Sequence, residues 1–501
     1  MYKFKYNVIM MKSIDFEKIL IFFWVCILFS INSSYATTLD LTNIYKFFFS
    51  KSSFFIFVNF IRFYIPFVIL PILIIIFLFN KSKKIDTLIF LFFFYFSWQL
   101  FVFFLSDRQT DLNEIFTGSR SANSNIFNNH FEESIFVNLN LIFCSLSVLF
   151  IITIAKNFRL NKFNKKIFII TLLYIGLIAV YFVYQLMAEA IINDKKFIYF
   201  SETLTATGIV FYQPSPRVTG ISRSLLIFYF LFFIFLIKSE KKIIWYLTLI
   251  ILILLLYKMQ TRGSFVGIGL LYILYLLFNS HELKKKIFNL FVLLILPIIF
   301  FETYYFIKHT KPKFQLQYMS PSSDKYLDKT SRLLKNDTSR LLQNDTSGRL
   351  HIWKTAIFMI NEKKIILGYG PQADRFLLNI FALKNFKKNI YYDKHGNTIA
   401  YDNNVSNFLL YAYLCGGVIG IFLLLTIYLI AITVVAKNIF VNKNFAYNNN
   451  LWVDFSTVVM IYLGFRGIFE NSFSVFGIDY ILFILAYLTV KNLAKSLNEI
   501  R

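Results

Sequence analysis

The chain is 501 residues long, 57% hydrophobic, with 64 phenylalanines and a net charge of +25. Soluble proteins hold nearer ~45–50% apolar residues, and no soluble core needs this excess, so an ordinary soluble enzyme is excluded. The positive balance reads as anchoring to anionic lipid headgroups and not as nucleic-acid binding, because no basic stripe falls on a soluble domain able to hold a duplex.

A helix crossing a bilayer needs roughly 20 mostly apolar residues, since the hydrocarbon core is about 30 Å thick and a helix rises about 1.5 Å per residue. That criterion predicts about twelve spans, at 19–36, 54–80, 85–106, 135–155, 167–190, 221–238, 242–258, 263–279, 286–306, 406–435, 451–467 and 474–491. The runs are continuously apolar and do not alternate with period two, which argues against a membrane barrel. The expected fold class is therefore all-α: a polytopic transmembrane helical bundle with one large extracytoplasmic loop. Residues 1–307 and 406–501 hold the helices, and 308–405 form the loop. Residues 18–36 also resemble a cleavable signal peptide, with a basic flank, an apolar run and a Ser-Tyr-Ala ending.

Orientation follows from Lys and Arg, which resist translocation. With the N-terminus inside, the inner segments carry 23 cations and the five short outer loops nine. This places the large loop outside, and the expected location is the bacterial inner membrane with the active side periplasmic. Cys26, Cys144 and Cys415 all fall in predicted spans and are odd in number, which points to packing residues, neither a disulfide framework nor a zinc site. No metal or cofactor is indicated.

Within the loop, TSRLLKND at 330–337 is followed by TSRLLQND at 338–345. Two octads are too few for a solenoid and read as a tolerated insertion. Further on, Ile352, Ala356, Met359 and Ile360 recur at helical spacing, which predicts a short amphipathic helix within 348–367, ended by Gly368-Tyr369-Gly370-Pro371.

Charges at the outer mouths carry the sharpest chemical signal. Arg217 precedes one span, Arg262 opens another, and Arg466 lies near the end of 451–467 with Glu470 four residues on. An arginine in or near hydrocarbon costs about 2.5–3.5 kcal/mol even on lenient insertion scales, so it normally faces the bundle interior or a wet cavity. Arginines converging there make an anion site, because a guanidinium is always charged and presents a planar fork to phosphate. The bland alternative is snorkelling, or for Arg466 a surface pair with Glu470.

The series PRVTG at 216–220, TRGSFVGIGLLYILYLL at 261–277, GRLHIWKTAIFMI and ILGYGP in the loop, and SNFLLYAYLCGGVIGIFLLL at 406–425 resembles the O-antigen ligase and O-antigen polymerase superfamily. The resemblance implies a polytopic glycosyltransferase, serving lipopolysaccharide or other polysaccharide biosynthesis. Such an enzyme moves a glycan from undecaprenyl diphosphate to an acceptor glycan or lipid A-core, without a metal. It links Arg217 and Arg262 to the lipid diphosphate, and the arginine of the GR-x-x-x-W segment falls on Arg349. It also implies a histidine before the span that follows the loop, yet that position here is Ser406, followed by Asn407. A serine hydroxyl cannot replace imidazole as a general base near neutral pH. Among other acidic and histidine residues outside, including His309, His351 and Asp393, the candidates are Asp402, immediately before the span, and His395. A repeat-unit polymerase, a transporter or flippase of lipid-linked sugars, and a membrane-embedded assembly or anchoring component are the competing readings.

Overall fold

The computed structural model describes residues 2–30, 53–80, 84–106, 130–158, 160, 162–192, 218–239, 242–258, 262–278, 282–299, 303, 349–362, 365–371, 373–374, 377, 405, 407–441, 450–468 and 478–500. Every element among them is helical. In chain order these are α1 (Tyr2–Ser30), α2 (Ser53–Phe79), α3 (Thr87–Leu105), α4 (His130–Asn157), α5 (Phe163–Ile192), α6 (Val218–Lys238) and α7 (Lys242–Lys258). There follow α8 (Arg262–Phe278), α9 (Leu283–Leu290, continued by a π turn), α10 (Arg349–Glu362), α11 (Phe408–Ala436), α12 (Leu451–Gly467) and α13 (Ile478–Ile500).

Each predicted span overlies one of these helices. Among the described residues four stretches are long and apolar enough to cross a membrane unaided: Thr87–Leu105, Leu139–Asn157, Ile221–Lys238 and Phe408–Phe440. The exposed surface is itself apolar. Phe22, Val68, Leu177, Ile243, Leu277, Phe422 and Leu429 are each at least 60% exposed, as a lipid-facing belt requires and a soluble protein avoids.

The helices pack around α6, α12 and α13, whose interiors are nearly all aromatic or branched: Tyr229, Phe230, Phe233, Phe455, Tyr480 and Tyr487 are almost fully buried. Several of the polar groups inside are paired. The Tyr229 and Tyr272 hydroxyls lie 3.0 Å apart, Asn289 donates to Tyr275 at 2.9 Å, and the Trp24 indole donates to Thr171 at 3.0 Å. Such pairing is favoured where no water can reach, since each unsatisfied group there costs several kcal/mol.

Ion pairs gather at two opposite ends of the bundle. At the first, Asp86 caps α3 by accepting from the Leu88 N–H at 3.1 Å, and its carboxylate is met by Lys491 at 2.8 Å and Lys156 at 3.2 Å. Lys238 meets Asp454 at 2.6 Å and Lys166 meets Glu17 at 2.6 Å at the same end. Burial pushes the Asp86 carboxyl up, but the hydrogen bond and charge of Lys491, the charge of Lys156 and the Leu88 N–H together hold it below its ordinary value.

Asp86→Asn is therefore expected to destabilise the protein. Losing one partner of a fully buried pair costs about 3–5 kcal/mol. Here the lysine side chains are 28% and 42% exposed and can turn to water, so a loss of roughly 1–3 kcal/mol is expected. Because the folded pKa is depressed, the contribution is present above the unfolded carboxylate value of about 4 and vanishes as pH falls through the folded value. Melting curves of both proteins in detergent should differ at neutral pH and converge at strongly acidic pH; an equal gap at all pH values would show that Asp86 acts through packing.

Candidate active site at the arginine end

The opposite end collects the starts of α6, α8, α11 and α13 and the ends of α3 and α12. Its geometry is set by an unusual helix. The run predicted as one span at 406–435 breaks at Gly417, whose φ of +62° and ψ of −152° are not helical and suit glycine alone. The two halves, 408–416 and 418–436, fold back on each other. Gly420 lies so close to the Ala412 carbonyl that a Cβ there would stand 2.5 Å from it, and the Phe408 ring stacks on Tyr428 at 4.7 Å. The run is thus not one straight helix: 418–436 is about 28 Å long at 1.5 Å per residue, and 408–416 is a short arm beside it.

The break frees the carbonyls of residues 414–416, and each finds a donor. Tyr369 N–H donates to Leu414 at 2.8 Å, Gly370 N–H to Cys415 at 2.8 Å, and the Trp98 indole of α3 to Gly416 at 2.8 Å. In return the Val418 N–H donates to the Ile366 carbonyl at 3.1 Å. Gly368-Tyr369-Gly370 thus does not cap α10, which closes earlier at Glu362. Its glycines, at φ of +90° and +81°, let the chain lie against the Gly416-Gly417 backbone and against Phe103. The amphipathic helix is present as α10. Ala356 and Met359 are buried and Ile352 and Ile360 half-buried against Ile365, Leu377 and Leu414.

This scaffold holds the chain just before α11. The Val405 N–H is accepted by the buried Asp374 carboxylate at 3.1 Å, and the Val405 carbonyl accepts from the Trp353 indole of α10 at 2.7 Å. Asn407 caps α11 by accepting from the N–H groups of Leu409 and Leu410, both at 3.0 Å, and its amide donates to the Ile468 carbonyl at the end of α12 at 3.0 Å. Ser406 lies between two pinned neighbours and is itself outside the described residues. Two residues back from Ile468, Arg466 contacts a buried carboxylate.

That carboxylate is Asp479, in the first turn of α13. It pairs with Arg466 through Oδ2 and with Arg223 of α6 through Oδ1, the latter at 2.7 Å. The side chains are 10%, 1% and 6% exposed for Arg466, Asp479 and Arg223. Arg466 therefore neither snorkels nor depends on a surface pair for its partner; Glu470 is outside the described residues.

Arg262 opens α8, and its level is fixed by Gly267 one turn on. A Cβ on Gly267 would stand 2.4 Å from Leu226 of α6 and 2.8 Å from Tyr462 of α12. Counted from this layer toward the arginine end, Arg223 is three residues away, Arg466 four and Arg262 five, which at 1.5 Å per residue puts their backbones within about 3 Å of one level. Arg217 immediately precedes α6 and lies outside the described residues, as do Asp402 and His395. Arg349 opens α10, and only its backbone is described.

Sequence reasoning missed Arg223 and Asp479. The available signal was an ionisable residue inside each of two apolar runs, ISRSLLIFYF and FGIDYILFIL, which in a membrane calls for a partner.

The fold and this end define a multi-helix membrane protein whose guanidinium–carboxylate cluster sits beside a pinned helix start. Residues 247–425, from within α7 to within α11, match the O-antigen ligase family. That segment holds Arg262, α10 and the break in α11, and over it the resemblance read from the motifs is borne out. No curated protein matches the chain.

Proposed function

We propose that the protein is a glycosyltransferase that moves a glycan from undecaprenyl diphosphate to a hydroxyl of an acceptor sugar, on lipid A-core or a growing polysaccharide, at the periplasmic face of the inner membrane. The observation that carries this reading is the placement of the 405–407 segment, within the family match, against the end of α12 that bears Arg466. The acceptor oxygen forms the new bond to the anomeric carbon as the bond from that carbon to the diphosphate oxygen breaks. The leaving diphosphate takes the bonding pair, and the acceptor's proton passes to a base. Arginines serve the first need, because they stabilise the charge that grows on the departing diphosphate in a site of low dielectric. Arg217 and Arg262 are assigned that role, with Arg349 and Arg466 completing the anion site and Glu470 on the sugar. Asp402 or His395 is assigned the proton, in place of the absent histidine at position 406. No metal takes part in this scheme.

Twelve crossings with the large loop outside belong to the same proposal. Cysteines introduced at Ser322 and Ser280, after replacement of Cys26, Cys144 and Cys415, test it by labelling of intact cells. Only position 322 should react, and reaction at position 280 alone would reverse the orientation and remove the site from the outer face.

Deletion in the host separates the forms of the reaction. Lipid-linked polymer accumulating with none on the core indicates a ligase, and single-repeat caps indicate a polymerase. Repeat units trapped on the cytoplasmic side would instead establish transport.

A further inference from the structure

Among the described residues, the buried cluster at the arginine end holds two guanidinium groups and one carboxylate. Asp479 meets both arginines, yet its 2.7 Å contact with Arg223 lies off the hydrogen-bond direction, and Arg223 Nε and Nη2 are buried with no hydrogen-bond partner among the described residues. An uncompensated guanidinium so placed is costly, since desolvation of a charge is several kcal/mol even after relaxation. Elsewhere in the bundle Asp454 takes up Lys238, and the two lysines that share Asp86 are 28% and 42% exposed and reach water. The exception falls at the level where the helix beginning with Arg262 meets α6 and α12, next to the segment 405–407.

We infer that Arg223 is a phosphate-oxygen donor for the lipid diphosphate, and that Asp479 is the positioning residue that holds Arg223 and Arg466 with their forks preset. Nε and one terminal nitrogen form the edge of a guanidinium that takes two oxygens side by side, and on Arg223 that edge is the unpartnered one. Asp479 bridges through both oxygens and so fixes the spacing of the two arginines. The inference rests on the lipid-diphosphate reading above and adds residues that neither the family match nor the motif series contains.

The test is binding, measured by fluorescence or thermal shift with the purified full chain in nanodiscs. The probes are undecaprenyl diphosphate without sugar and inorganic pyrophosphate, which separate a lipid-borne diphosphate from the free ion. Arg223→Lys keeps the charge and loses the fork, Arg223→Gln loses both, and Asp454→Asn breaks a buried pair of similar kind at the other end. Undecaprenyl diphosphate should bind the wild type and Asp454→Asn alike, and both Arg223 variants at least tenfold more weakly. Asp479→Asn should also weaken binding, with the deficit reduced when Arg466 is changed as well, because the carboxylate acts through both arginines. Equal affinity of wild type and Arg223→Lys, or equal losses in Arg223→Lys and Asp454→Asn, would overturn the inference while leaving the lipid-diphosphate reading in place. Absence of diphosphate binding by the wild type would instead remove that reading along with it.

Discussion

Gly417→Ala is expected to abolish accumulation of folded protein. Two independent costs fall on the one substitution. The backbone there has φ of +62° and ψ of −152°, a region closed to residues with a Cβ except at roughly 1–3 kcal/mol. The added carbon would also stand 1.9 Å from the Ile366 carbonyl oxygen, and that oxygen cannot retreat without breaking its bond to the Val418 N–H. Forced overpacking adds about 1–3 kcal/mol, so the sum is a large part of a total stability of about 5–15 kcal/mol. Gly263→Ala is the matched control, because nothing lies within 4 Å of a Cβ there. Size-exclusion profiles of membrane extracts should show the control at wild-type abundance and Gly417→Ala aggregated or lost. A monodisperse Gly417→Ala at normal abundance would mean that the α11 break is dispensable.

Replacing Arg262 by lysine is expected to leave abundance unchanged and to reduce turnover strongly. Charge is retained, but the two-pronged geometry is lost. A charge-assisted hydrogen bond in a site closed to water contributes roughly 1.5–3 kcal/mol, or about ten- to a hundredfold in rate. Arg217→Lys is expected to behave in the same way. If either arginine merely snorkelled at the interface, lysine would serve as well and the rate would not move, so transfer rates at matched protein levels separate the two roles.

The helices were legible because hydrocarbon imposes one requirement on every segment, and the apolar runs at 221–238 and 451–467 meet it without help from distant residues. The packed face of α10 was legible for the same local reason: Ala356 and Met359 are one turn apart and both buried. What the sequence hid was long-range. CGGVIG at 415–420 reads as an ordinary part of an apolar helix, since the donors that make its break tolerable come from Tyr369 and Gly370 some 45 positions earlier and from Trp98 on α3. Gly368-Tyr369-Gly370 looked like a helix cap because glycine serves caps and close backbone contacts equally. Arg466 had Glu470 four residues away as a candidate local partner, and no local spacing pointed to the carboxylate on the next helix, Asp479, that meets it. At the arginine end, Arg262 and Arg466 stand out in the sequence because they sit at the edges of apolar runs, whereas Arg223 is hidden inside one.

The central claim is group transfer from a lipid diphosphate, and reconstitution tests it most directly. Purified protein in proteoliposomes is supplied with an undecaprenyl-diphosphate-linked glycan and an acceptor glycan, with a chelator present. The reaction proposed here predicts that glycan appears on the acceptor and that undecaprenyl diphosphate is released in equal amount. It also predicts that both products fall together in Arg262→Lys. Donor that crosses the bilayer chemically intact, with no acceptor glycosylated, would contradict it and establish a transporter.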